Sequence, residues 1–274
     1  MDAREFYGLE ATDDPMVWRL PVTEGVGSNI GALFGGAGLG AAILGIEHST
    51  NRPVVWASAQ FLSFALVGSV VDFHVTEVVR GRHTSQSRVS GRVGGEEILT
   101  VNAATGYRDS PYTGTWAEMP DVPSPDECVS RELDESSRRS VWGRFESRIA
   151  KARTIEELDG TPGDGRAALW VRMPGVEVSS AMLAVLGDFV PFGIGQALGA
   201  PLGGNSLDNS IRIAHRHAHT EWILAAAHIQ AVEGGFGHGA VHLWAEDGTL
   251  LAVASQSTIV RPYGAPPAAD RSRS

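Results

Sequence analysis

The chain has 274 residues, 43% of them apolar, enough for packed cores in one large domain or in two of about 100 to 150 residues. A formal charge of -10 and a pI near 5.3 argue against a nucleic-acid or anionic-membrane surface, since both need a basic footprint to offset phosphate repulsion. The single cysteine, Cys128, excludes an internal disulfide; its acidic Pro-Asp-Glu-Cys setting offers no base to form a thiolate, and a reducing cytoplasm fits.

The N-terminus, Met-Asp-Ala-Arg-Glu, has no basic stretch leading into an apolar run, so no secretory signal is expected. Residues 25–46 carry no charge but eight glycines. That composition weakens a lipid-exposed helix and suits an apolar helix wrapped inside a soluble protein. At this richness of glycine, the spacing of Gly27 and Gly31 is uninformative. Alternating, β-branched runs then predict strands over 54–66, 70–79, 84–91 and 96–107, an antiparallel meander.

Residues 109–166 contain proline early, become charge-rich and end in a loop over 160–165; within and just after them, 141–149 and 167–173 are candidate strands. A second apolar helical segment, 181–200, contains one ionisable residue, Asp188, and is interrupted by Pro191. Strands are predicted over 206–213, 221–231, 237–245 and 249–260, and from Gly264 onward the chain reads as a disordered tail.

The two halves align without a gap through their last three strands when Gly35 is set on Asp188. Gly81 then falls on Gly234, Leu99 on Ala252, Thr105 on Thr258 and Arg108 on Arg261. Few identities survive, but the order of one apolar helix followed by four strands recurs whole. The expected organisation is a duplicated α+β chain: a first unit over 1–110, a linker over 111–140, a second unit over 141–263 and a tail over 264–274.

A long apolar helix wrapped by an antiparallel sheet, occurring twice, resembles the double hotdog, and particular residues narrow this to the acyl-CoA thioesterase II (TesB-like) family. Phe34-Gly35-Gly36 is similar to that family's Phe-Gly-Gly, and residues 80–89 are similar to its Arg-x-Gly-x-Ser-Phe-x-x-Arg-x-Val turn and strand. Gly187-Asp188-Phe189, Ser206-Leu207-Asp208-Asn209-Ser210 and the strand ending in Gln256 complete an ordered set running from about Gly31 to Arg261. Three departures stand out. The family's two first-half strand histidines are absent from Trp56-Ala57-Ser58-Ala59-Gln60-Phe61, Ala37 replaces a glutamine, and Asn209 replaces a histidine beside the site.

The resemblance implies hydrolysis of acyl-CoA without a cofactor or metal, with Asp188, Ser206 and Gln256 as catalytic residues. Each residue type suits that chemistry. A carboxylate in a segment destined for burial has its pKa driven toward neutrality, as a general base requires. A hydroxyl can donate to the carboxylate and accept from water, and an amide can hold the same water or the carbonyl oxygen. Taken singly, Asp188 reads as a capping or solvated residue, Ser206 as a strand-edge hydroxyl and Gln256 as an outward strand position; their ordered occurrence favours the site. The repeat adds a comparison independent of family, because Gly35, Pro53 and Ala103 occupy the three equivalent places in the first half.

Gly35 and Gly36 are candidate substrate-binding residues through backbone N–H groups at a helix start, although glycines there also permit close packing. Arg80 and Arg88 are candidate contacts for CoA phosphates, with solvated arginines as the alternative. His215, His217 and His219 alternate along one face, and a solvated strand end is favoured over a metal site because no further ligands complete one. The departures keep open a catalytically inactive acyl-CoA or lipid-binding protein of the same fold. Exposed sheet edges favour a homo-oligomer.

Overall fold

The computed structural model describes residues 1–216 and 219–262. A short helix, α1 (Ala3–Tyr7), and strands β1 (Glu10–Ala11) and β2 (Val17–Pro21) precede the apolar helix α2 (Gly35–Thr50). Strands β3 (Val54–Phe61), β4 (Val70–Arg80), β5 (Thr84–Val93) and β6 (Glu96–Gly106) follow. The central stretch holds β7 (Val129–Ser130), α3 (Glu135–Arg139), β8 (Glu146–Lys151) and β9 (Arg166–Arg172). Helices α4 (Ser180–Leu186) and α5 (Val190–Leu198) then lead into β10 (Leu202–Ile213), β11 (Ile223–Glu233), β12 (Phe236–Ala245) and β13 (Leu250–Pro262).

These strands form one antiparallel sheet in the order β1-β2-β4-β5-β6-β3-β10-β13-β12-β11-β9-β8-β7. Outward from the β3–β10 junction, each side repeats one sequence of strands. The strand after the helix comes first, then the fourth, third and second of its set, then one that precedes the helix, β2 or β9. This is the double hotdog. Alternation explains the wrapping: Leu99, Val101 and Ala103 of β6 are buried, and so are Ser85, Ser87 and Val89 of β5 between exposed Gln86 and Arg88. Leu39, Ile43 and Ile46 of α2 lose all solvent contact, as expected for a helix apolar on every side.

Helices α2 and α4 meet through glycine. A Cβ on Gly36 would stand 2.8 Å from the Ala184 carbonyl oxygen and 2.9 Å from Val185 Cα, and one on Gly40 would stand 2.7 Å from the Ala181 carbonyl oxygen. The absence of side chains at these two positions, one turn apart, allows the backbones to approach this closely. The informative glycine pair is therefore Gly36 and Gly40.

Several sequence expectations need correction. The first helix begins only at Gly35, because Gly31 adopts a left-handed φ of 75° and the preceding residues form a short 3-10 turn, Glu24–Val26, and a Gly27–Leu33 bridge. Strand β3 stops at Phe61, after which the chain turns back so that Leu66 bridges Ala32. The second apolar segment is two helices, with Pro191 in the first turn of α5, where its missing N–H interrupts no bond. Among the described residues, the stretch Ser180–Leu198 is long and apolar enough to cross a membrane, but 78% of it is buried inside the protein.

Residues 111–140 carry more than connecting chain. Met119, Val122 and Cys128 pack on Trp170, Trp222 and Trp244 across the outer face of the sheet, and Trp170 Nε1 donates to the Pro123 carbonyl at 2.9 Å. The stretch 264–274, expected as a tail, lies outside the described residues.

Candidate active site

Asp188 sits in the break between α4 and α5, flanked by Gly187, the C-cap of α4, and Phe189, the residue before α5. It is therefore at a helix junction and not inside a helix, which frees its carboxylate to face α2. Oδ2 accepts from the Gly36 N–H at 2.7 Å. Because Gly36 lies in the first turn of α2, the partial positive charge of that helix end reinforces the bond. Oδ1 accepts from Gln256 Nε2 in a short contact and from Ser206 Oγ at 3.5 Å, the far limit of a hydroxyl hydrogen bond. The same Gln256 Nε2 donates to Ser206 Oγ at 2.5 Å.

The three side chains thus converge from separate elements. Ser206 lies at an irregularity in the β10–β13 pairing, where the register shifts between Ser206 and Asp208. Such a bulge re-aims a side chain that regular alternation would commit to one face. Gln256 comes from the adjacent strand β13 and is 2% exposed; Asp188 is 5% exposed. Burial raises the Asp188 pKa from 3.8 to about 6, opposed in decreasing order by the bonds from Gln256, Gly36 and Ser206. No charged neighbour contributes to the shift.

Gly35 and Gly36 are both at the site, where the close packing that glycine permits is the role their surroundings display. The Gly36 N–H is engaged by Asp188, and a Cβ on Gly35 would lie 2.9 Å from Asp188 Oδ2 and 3.1 Å from the Phe61 ring. Both glycines make room for the carboxylate. Phe61, which no sequence signal singled out, walls this corner.

Arg80 and Arg88 do not join the cluster. Arg52, just beyond the C-cap of α2, donates at 2.9 Å to both the Gly81 carbonyl and Ser85 Oγ, so Arg80 sits near the end of α2 opposite Gly36. A helix of 16 residues separates those ends by about 24 Å. Arg88 is exposed between buried Ser87 and Val89, so it faces away from the helix layer. Among the described residues no group of three or more candidate ligands could hold a metal; His215 Nδ1 lies 3.1 Å from the Leu250 carbonyl, and His217 is outside the described residues.

The model of the acyl-CoA thioesterase C-terminal domain matches residues 125–260, a span holding all three converging side chains. A solved structure from Novosphingobium aromaticivorans, provisionally named a thioesterase, is 34% identical, covers 92% of this chain and 98% of its own, and superposes with a TM-score of 0.81. The chain belongs to the acyl-CoA thioesterase family. Family membership makes it a thioester hydrolase by class. More distant members of this fold include a hotdog protein of Alicyclobacillus acidocaldarius, 19% identical with 96% and 98% coverage and a TM-score of 0.81. An acyl-CoA thioesterase II of Mycobacterium marinum is 20% identical, with 96% and 99% coverage and a TM-score of 0.74. No curated protein matches the chain.

Proposed function

We propose that this acyl-CoA thioesterase family member hydrolyses fatty acyl-CoA to free fatty acid and CoA in the cytoplasm, with Asp188 as general base and Ser206 and Gln256 as the groups that position the water. The observation carrying this reading is a buried carboxylate with three converging donors and a pKa raised to about 6, which leaves it ionised yet basic near neutral pH. Asp188 takes a proton from water as the water oxygen bonds to the thioester carbon. The C–S bond then breaks, and the departing CoA thiolate recovers that proton from the carboxyl group. An apolar loop supports a fatty acyl group as cargo: exposed Leu62, Phe64 and Leu66 lie on the chain that pairs with residues 32–33, just before α2.

A non-enzymatic binding protein of this fold makes a different forecast. Thiol release from short-, medium- and long-chain acyl-CoAs is expected from the native protein and is expected to fall by at least 100-fold in Asp188→Asn, the lower scale of general-base catalysis at ~10²–10⁴. Saturable acyl-CoA binding without thiol release, or an undiminished rate in the variant, would overturn the proposal.

A further inference from the structure

Asn209 lies in mid-strand on β10, directly opposite Gln256 of β13 and Ala59 of β3. Residues opposed in this way share a face of the sheet with Cβ atoms about 4.5–5.5 Å apart. Asn209 therefore stands beside Gln256 on the side that reaches Asp188. It is 0% exposed, yet neither Nδ2 nor Oδ1 has a partner in the protein, and Gln256 Oε1 beside it is equally buried and unpartnered.

That arrangement is poor packing and good chemistry. Each unsatisfied buried polar group costs about 1–3 kcal/mol, whereas an apolar residue of the same size would cost nothing of that kind. Along the row crossing these strands, Asn209 lies between Ala59 and Gln256; beyond Gln256, the side chains of Ile229 and Val190 fill the space above Gly239, so the small neighbour of the polar pair is Ala59. The Gln256 NH2 group is committed to Asp188 and Ser206, which fixes Oε1 as an acceptor. Beside it stands an uncommitted donor, Asn209 Nδ2.

We infer that Asn209 is a fourth residue of the hydrolytic site, its Nδ2–H acting with Gln256 Oε1 to hold the water that Asp188 deprotonates. The inference rests on the hydrolytic reading above. The water accepts from Asn209 and donates one proton to Gln256 Oε1, which leaves its other proton for Asp188 and its free lone pair for the thioester carbon; Ser206 positions the water through Asp188 and Gln256, both of which its Oγ already bonds. Proton and electron flow are otherwise those already given.

The test compares the native full-length protein, Asn209→Leu, Asn209→Ser and Asp188→Asn on the acyl-CoA panel, with pH profiles and thermal unfolding of each. Asn209→Leu keeps nearly the same volume and removes two orphan atoms, so its Tm is expected to equal or exceed that of the native protein. Its kcat is expected to fall roughly 10- to 100-fold, the scale of a misplaced reactant, with KM changed less than about twofold. The acid limb of its kcat/KM profile is expected to move upward, because Asp188 loses a hydrating partner. Asn209→Ser, which restores a donor, is expected to recover part of kcat. Native kcat and an unmoved limb in Asn209→Leu, alongside an inactive Asp188→Asn, would overturn the role of Asn209 and leave the hydrolytic reading intact. Loss of kcat only in proportion to loss of Tm, with the limb unmoved in both Asn209 variants, would likewise assign Asn209 to packing. Full activity in Asp188→Asn would overturn Asp188 as the general base, and absence of thiol release from the native protein would overturn the hydrolytic reading itself.

Discussion

Substituting Gly36 by alanine tests how the two helices and the carboxylate depend on one another. The new methyl would stand 2.8 Å from the Ala184 carbonyl oxygen, 2.9 Å from Val185 Cα and 3.0 Å from Asp188 Cβ, and the first two are backbone atoms that no rotamer change can move. Overpacking of this kind costs about 1–3 kcal/mol. At roughly 2–4 °C per kcal/mol for a chain of this size, Tm should fall by about 2–12 °C. Relief of the clash pushes α2 away from α4 and stretches the 2.7 Å bond from Gly36 N–H to Asp188 Oδ2. A hydrogen bond to a charged group contributes about 1.5–3 kcal/mol, and one pKa unit corresponds to about 1.4 kcal/mol, so losing half of the bond raises the Asp188 pKa by about half a unit to one unit. Activity should then drop about two- to fivefold at pH 6 and hardly at all at pH 8.5. Differential scanning fluorimetry and a thiol-release pH profile read both effects. Native Tm together with an unmoved acid limb would refute the coupling of helix contact to carboxylate.

Further consequences follow from the same geometry. The folded-state pKa of Asp188 is raised, so its protonated form is the one the fold prefers. Stability from this group is fully present below the unfolded value of 3.8 and is lost as pH rises through about 6. The stability of the native protein relative to Asp188→Asn should accordingly fall by roughly 1.5 kcal/mol between pH 5 and pH 8, while the variant loses activity; urea unfolding of both proteins at the two pH values checks it, and a difference that does not change with pH would contradict it. Gln256→Leu removes the donor that most opposes the rise of the Asp188 pKa and the donor to Ser206. Steady-state kinetics should show kcat falling roughly 100-fold with an acid limb above that of the native protein. Arg80→Ala and Arg88→Ala should leave kcat unchanged, since neither side chain lies in the Asp188 cluster, and a fall in kcat would place them closer to the reaction than their positions allow.

The strands were legible because half-buried strands alternate: β4, predicted over 70–79, is Val70–Arg80, and β12, predicted over 237–245, is Phe236–Ala245. Strands β1 and β2 escaped notice because β1 is two residues long and β2 has only Trp18 and Leu20 as fully inward positions. The start of α2 was hidden because uncharged, glycine-rich sequence looks alike in a buried helix and in the loop before it; only the left-handed Gly31 separates them. Asp188, Ser206 and Gln256 could be picked out by residue type and order, and the structure brings them together. Their geometry was not readable, because it depends on a break between α4 and α5 and on a register shift at Ser206. Asn209 appeared in the sequence only as a substitution; its orphaned amide becomes visible once strand pairing sets it against Gln256.

The central claim is that Asp188 acts as the ionised general base, and the pH dependence of kcat/KM for acyl-CoA hydrolysis by the native protein tests it most directly. The expected profile rises with unit slope through an apparent pKa of about 6 and reaches a plateau by pH 7.5. A profile flat from pH 4.5 to 8, or one that falls as pH rises through 6, would contradict it.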